Sequence, residues 1–217
     1  VLQRIEKSPG VESAAIVNLR PFSRNSDRVF TIAGKPEPAP EAIPDANYRV
    51  ISPQYFRALE IPLVRGRVLT EQDVASAPRV VVINEALAHR YFPNEDPIGK
   101  QIKLGRYVED NPLHTVVGIV GNIRHRGLDA EFEPEFYYPY AQTPIRNSAI
   151  VARTHGDPLM LAAAVRNAML EVDKNQPLTR PRTMEMAISD SVTQRRLNMI
   201  LLGIFGTLAL GLTEVGI

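Results

Sequence analysis

The final stretch of this chain constrains its fold more than any other part. Residues 197–217 read "LNMILLGIFGTLALGLTEVGI", and only Asn198 and Glu214 in it are strongly polar. A helix needs about 20 apolar residues to cross a hydrocarbon core. Gly203, Gly206, Gly211 and Gly216 would be costly in a soluble helix but are frequent in membrane helices. The alternative is a helix buried in a soluble core. A fully apolar stretch closing the chain suits the start of a transmembrane helix better, so 197–217 is expected to enter a membrane.

The other end looks different. "VLQRIEKSPG" is charged, has no long apolar core and lacks an initiator Met, so it is not a signal peptide and the chain is expected to be a piece of a longer protein. Lys plus Arg is 25 against 24 for Asp plus Glu, which gives no support for nucleic-acid binding. With no cysteine among the 217 residues, disulfides, thiolate metal sites and a cysteine nucleophile are excluded within this segment.

Between the ends, short apolar runs alternate with turn residues. A short helix over 1–8 is expected to stop at Pro9-Gly10. "VESAAIVNL", "RVFTIAG" and "NYRVI" read as strands, with the proline-rich "KPEPAPEAIPDA" as an extended surface connector. Ser52 is expected to cap a helix that has Pro53 at its first position. "RVVVI" suits a strand buried on both faces. Asn84 is an N-cap candidate for "EALAHRYF", which places Leu87 and Tyr91 on one face, and Gly99 supplies a positive φ in the following turn. "QIKLG" and "HTVVGIVGNI" are further strands. "EFYYPY" is a strand that Pro139 should confine to a sheet edge. "SAIVART" precedes a helix capped by Asp157 and begun by Pro158, with Leu161, Val165, Ala168, Met169 and Val172 as its apolar stripe. Thr183 then caps a helix that begins amphipathic and turns apolar all round beyond Leu197. It reads as one rod running from a soluble domain into a membrane.

No catalytic constellation emerges. His89, His114, His125 and His155 show no metal-ligand spacing. His89 reads as a surface residue. His125, with Asp129 as orienting carboxylate, is the one acid–base candidate, and a charged, solvated loop is the simpler reading of "NIRHRGLDAEFE". The "IGK" at 98–100 lacks the frame of a phosphate-binding loop, and "GIVGN" at 118–122 falls inside a strand. Catalytic, cofactor and metal residues are therefore expected to be none.

Several blocks together resemble one family. "YRVISPQYFRALEIPLVRGR" at 48–67, "VVINEALAHRYFPNEDPIGKQI" at 81–102 and "TVVGIVGNIRHRGLDAEFEPEFYYPY" at 115–140 are similar to the MacB-like periplasmic core domain. "LLGIFGTLALGLTEVGI" resembles the second transmembrane helix of the FtsX-like permease that follows it, in the duplicated "orphan" branch of such permeases. The resemblance implies an α+β fold in two subdomains: 1–62 with 147–196 as a membrane-proximal α/β unit, 63–146 as a mostly β insertion, and 197–217 as the start of the membrane helix. It implies an extracytoplasmic, non-catalytic domain in the bacterial inner membrane that relays ATP-driven motion for export or release of a substrate. Its partners would be a cytoplasmic ABC ATPase, the membrane, a second permease copy or pseudo-copy and an envelope protein.

The membrane-boundary and coupling candidates are Val192, Arg195, Arg196 and Glu214. Arg195 and Arg196 would sit at the headgroups, where long basic side chains snorkel. The positive-inside rule alone would put such a pair on the cytoplasmic side, whereas the resemblance puts it outside. Glu214 departs from the family pattern, which has a small apolar residue there, and implies shallower insertion or a polar role inside a helix bundle. Two rival readings are a membrane-anchored ligand-sensing domain and an extracytoplasmic hydrolase built around His125.

Overall fold

The computed structural model describes residues 2–22, 26–36, 38–39, 42–105, 111–125, 131–171, 181–189 and 205. They form a mixed α/β fold. In chain order the elements are α1 (Leu2–Glu6), β1 (Val11–Val17), β2 (Asp27–Ile32), β3 (Asp45–Ile51), α2 (Tyr55–Ala58), β4 (Leu63–Gly66) and β5 (Val80–Asn84). There follow α3 (Glu85–Tyr91), β6 (Gln101–Leu104), β7 (Leu113–Val120), β8 (Glu135–Pro139), β9 (Ala149–Thr154) and α4 (Pro158–Leu170).

All nine strands belong to one sheet, in the order β2-β6-β7-β5-β8-β3-β1-β9, with β4 added on β7 and a further pairing between β2 and β3. That last pairing closes six strands into a ring. Along β2, Ser26 O accepts from Tyr48 N and Phe30 N donates to Pro44 O on the β3 side. Val29 O accepts from Gly105 N and Ala33 N donates to Gln101 O on the β6 side. Alternate backbone groups thus serve opposite neighbours, as a strand inside a sheet requires.

Period-two alternation sorts the side chains. Phe30, Ile32, Val50, Val81, Ile83, Ile102, Val116, Phe136 and Tyr138 point inward, and with Leu87 and Phe92 of the α3 region they form one apolar cluster fed by all six ring strands. The residues between them face outward. Ile51, Val80, Val82, Val120 and Tyr137 pack beneath α2, against Ala15 and Val17 of β1 and against Tyr55, Phe56 and Ala58. Because β5 and β8 are covered on both faces, all their residues are buried.

Two glycines allow β4 to lie on β7. A Cβ on Gly118 would overlap the Arg67 carbonyl, and one on Gly66, where φ is +73°, would overlap the Val117 carbonyl. Gly118 of "GIVGN" and Gly66 thus serve close strand approach.

The structure corrects three expectations. The boundary expected between residues 62 and 63 falls inside one sheet. β8 runs parallel to β3 over five register pairs from Asn47↔Glu135 to Ile51↔Pro139, and β6 pairs with β2. The sheet groups by hydrogen-bonded edges rather than by chain order, so β2 and β3 belong with the ring. Second, β8 is not at an edge but lies between β5 and β3. Pro139 is tolerated because β5–β8 pairing has already ended at Val82↔Tyr137. Beyond it, Tyr140 N donates to Ile51 O and Val80 N donates to the Gln142 side chain. Third, Ser52 does not cap α2 with its side chain. The helix is only Tyr55–Ala58, its N-cap is Gln54, and Ser52 Oγ accepts from Ile16 N at 3.0 Å.

Other expectations hold. Asn84 Oδ1 accepts Leu87 N at 2.9 Å and caps α3, and Asp157 Oδ1 accepts Leu159 N at 2.8 Å and caps α4. Gly99 has φ +83°. On α4, Leu161, Val165 and Met169 are half-buried, while Val172 lies outside the described residues. Residues 184–189 are helical, and Thr183 Oγ1 accepts Met186 N at 3.2 Å. Among the described residues no helix is long and apolar enough to cross a membrane. Of 197–217, only Phe205 is described.

Candidate functional site

The densest polar chemistry lies on the outer face of the ring, under α2. Arg49 on β3 and Tyr137 on β8 are register partners, and Glu135 stands two residues before Tyr137 on the same face. Arg49 Nε donates to Glu135 Oε1 at 2.6 Å, and its Nη1 donates to Leu19 O at 3.2 Å. The Tyr137 hydroxyl donates to Glu135 Oε2 at 2.6 Å, and His125 Nε2 meets the same oxygen at 3.1 Å. Glu135 N donates to Asn84 Oδ1 at 2.9 Å. One carboxylate therefore ties together β3, β8 and the connection that follows β7.

Electrostatics explains why this carboxylate stays ionised. Burial pushes the Glu135 carboxyl up, but the His125 hydrogen bond and charge, the Arg49 guanidinium and the Tyr137 hydroxyl outweigh it and hold it below the usual carboxylate range. The same environment raises Tyr137 well above an ordinary phenol, through burial first and the nearby Glu135 charge second. Tyr55, packed beside the network, is raised for the same two reasons.

A histidine on a carboxylate is also the geometry of a general base with its orienting group. Here it is sealed. Arg49 and Tyr137 are 0% exposed, Glu135 1% and His125 7%, so a substrate has no access to the pair. The network can hold strands in register; it cannot meet a reactant in this conformation. This revises the reading of His125, which sits on Glu135 in the interior and not in a solvated loop. The expected orienting carboxylate, Asp129, lies outside the described residues.

The remaining histidines are dispersed. His89 is exposed on α3, as expected. His114 is buried on β7, edge-on to Tyr138 with centroids 4.6 Å apart. His155 is exposed, 3.9 Å from Glu12. Among the described residues, no three His, Asp or Glu side chains gather as metal ligands would.

The 81–102 stretch is built as a scaffold. Leu87 is fully buried, the Tyr91 hydroxyl donates to Asp45 O, and two first-turn amides of α3 are satisfied by asparagines, Leu87 N by the N-cap Asn84 and Ala86 N by Asn122 just past β7. Lys100 joins Glu95 at 3.2 Å on the surface. Val192, Arg195, Arg196 and Glu214 all lie outside the described residues.

Sequence reasoning did not find Arg49, Glu135 and Tyr137. The available signal was one charge set among apolar and aromatic residues in each of two strand runs, Arg49 in "YRVI" and Glu135 in "EFYYP". Charges of opposite sign at such positions are tolerable only when paired.

Comparison with known proteins matches this architecture. The family model described as the MacB-like periplasmic core domain matches residues 2–170. The chain belongs to that family. A macrolide export ATP-binding/permease protein MacB of Aggregatibacter actinomycetemcomitans is 33% identical over 96 residues, covering 44% of this chain and 14% of that protein. The chain thus spans a small part of the length of this curated relative.

Among solved structures, the periplasmic region of MacB from Actinobacillus actinomycetemcomitans aligns with TM-score 0.55 and 20% identity, over 79% of this chain and 72% of that one. A domain of a putative permease from Porphyromonas gingivalis aligns with TM-score 0.54 and 16% identity, over 87% of this chain and 88% of that one. At those identities the likeness is one of fold.

Proposed function

We propose that this chain is the extracytoplasmic domain of an ABC-transporter permease subunit, without catalysis of its own, which relays ATP-driven motion for export or release of a substrate. The observation that carries this reading is the family match across residues 2–170. The sealed His125–Glu135 pair supports the non-catalytic part, because the strongest acid–base geometry found has no route to a substrate.

In this reading the energy source is a cytoplasmic ABC ATPase, and the permease works in the bacterial inner membrane as a dimer or pseudo-dimer, with an envelope protein as a further partner. Residues 197–217 begin the transmembrane helix. Thr183 opens the rod that leads into it, which the helical residues 184–189 behind a Thr183 cap support. Val192, Arg195 and Arg196 mark the passage to the headgroups, and Glu214 marks either a shallower insertion or a polar role inside the helix bundle. The membrane-proximal unit, expected over 1–62 and 147–196, narrows in this reading to α1, β1, β9 and α4 because β2 and β3 pair into the ring, and the ring stands farther from the membrane.

Val192→Pro tests the relay. It removes a helix hydrogen bond and kinks the rod at a cost of about 3 kcal/mol or more. In the full-length permease with its ATPase, hydrolysis should persist while the coupled output fails. Full function in a correctly inserted variant would reduce the helix to an anchor.

A further inference from the structure

A relay needs its external domain to move as one body, and the weakest-looking joint in the fold is between β1 and β3. β1 pairs with β9 through six register positions, from Val11↔Thr154 to Val17↔Ala149. With β3 it shares a single pair, Val17↔Ile51. Everything membrane-proximal in the proposed layout reaches the ring through this joint and through α2, by apolar packing, by Arg153 Nε donating to Ala58 O with an ion pair to Glu60, and by Arg57 donating to Glu12 O on the surface. Apolar packing resists separation but is non-directional, so it does little to stop one strand sliding along another.

Side chains supply what the ladder lacks. Past the shared pair on one side, Ser52 N donates to Ile16 O, and Ser52 Oγ accepts Ile16 N, both at 3.0 Å. On the other side, Asn18 N donates to Val50 O, and Asn18 Oδ1 accepts Val50 N, both at 3.0 Å. Next along the chain, Arg49 Nη1 donates to Leu19 O while its Nε holds Glu135. Two side-chain oxygens thus stand in for ladder carbonyls at fixed positions. A one-residue slip would leave each without its amide and would turn every side chain of β1 to the wrong face. Ser52 is fully buried, so its oxygen has no water to fall back on.

We propose that Asn18 and Ser52 splice β1 to β3 and lock the membrane-proximal unit and the ring into one rigid body, making this joint the coupling link of the domain. The proposal rests on the relay reading and names where within the domain motion is passed on. Arg49 ties the same joint to the network around Glu135, so the buried polar groups and the splice form one continuous structure across β1, β3 and β8.

The test uses the full-length permease with its ATPase. Spin labels go at Met160→Cys on α4, which is 77% exposed, and at exposed His89→Cys on α3. Pulsed spin-label distances between them should give one narrow distribution that ATP does not change. Asn18→Ala with Ser52→Ala leaves the apolar cluster under α2 untouched, and should lose that single narrow distribution while circular dichroism stays native. A wild-type distance that shifts with ATP, or a folded double variant as narrow as wild type, overturns the splice. The wild-type arm needs no variant to fold. A further distance, from His89→Cys to a label on the ATPase, reads the relay separately. If ATP leaves it fixed while the first pair stays narrow, the relay reading falls and the splice stands.

Discussion

Both faces of β8, and both faces of β3 over residues 49–51, are buried, and they differ in what burial demands of them. Inside, Phe30 meets Phe136 and Phe136 meets Tyr138 edge to face, at 5.6 and 5.4 Å between centroids. Outside, one residue away on the same strands, Arg49 and Glu135 lie at 1% side-chain exposure each and 2.6 Å apart. The inner face needs volume and shape. The outer face needs each partner present, because desolvating two charges costs about what their attraction returns. Apolar contacts are individually small and interchangeable, whereas a buried charge left alone is not.

The comparison is broken most severely by removing one charge. Glu135→Leu strands Arg49 and takes the acceptor from His125 and Tyr137, and should cost about 3–5 kcal/mol in urea unfolding. Arg49→Met should cost a similar amount. The double variant should cost clearly less than the sum, since the expensive species is the orphaned charge. Additive losses would mean that the two groups act separately.

On the inner face the matching change is Leu87→Ala. It leaves a cavity between α3 and the ring, and should cost roughly 2–5 kcal/mol. No partner substitution should recover it short of refilling the volume. A loss below 1 kcal/mol would show that α3 collapses into the space and that the scaffold reading of 81–102 is too strong.

His114 sharpens the contrast, being a titratable group on the apolar side. Burial first, and the Arg79 charge second, push it from 6.5 down to about 4, against a raising contribution from the Pro112 carbonyl. The folded state therefore holds it neutral, and below pH 6.5 the unfolded chain binds the extra proton first. Its contribution to stability is complete above pH 6.5 and is lost progressively as pH falls towards 4, by about 3 kcal/mol in all. His114→Phe should flatten that part of the stability–pH curve. An unchanged slope would place the proton elsewhere.

Local chemistry determined much of this protein. Asn84 and Asp157 cap their helices, Gly99 turns the chain, and the unbroken apolar run of β5 is buried on both faces, because each depends on a few adjacent residues. Family membership was readable for a similar reason, since whole blocks of strand, cap and turn residues carry it. Tertiary structure alone decided which distant strands became neighbours. Pairing β2 with β6 and β3 with β8 joins residues 70 to 88 positions apart, and no local signal ranks such pairings. That is why the boundary at residue 62, the edge assigned to Pro139 and the solvated loop assigned to His125 all changed together. Once β8 lies between β5 and β3, Pro139 needs only to follow the last β5 pair, and Glu135 is carried inside with Arg49. His125 is then drawn onto a carboxylate ten residues away. A charge in the sequence carries its sign, but whether it faces water or a partner is set by the strand beside it.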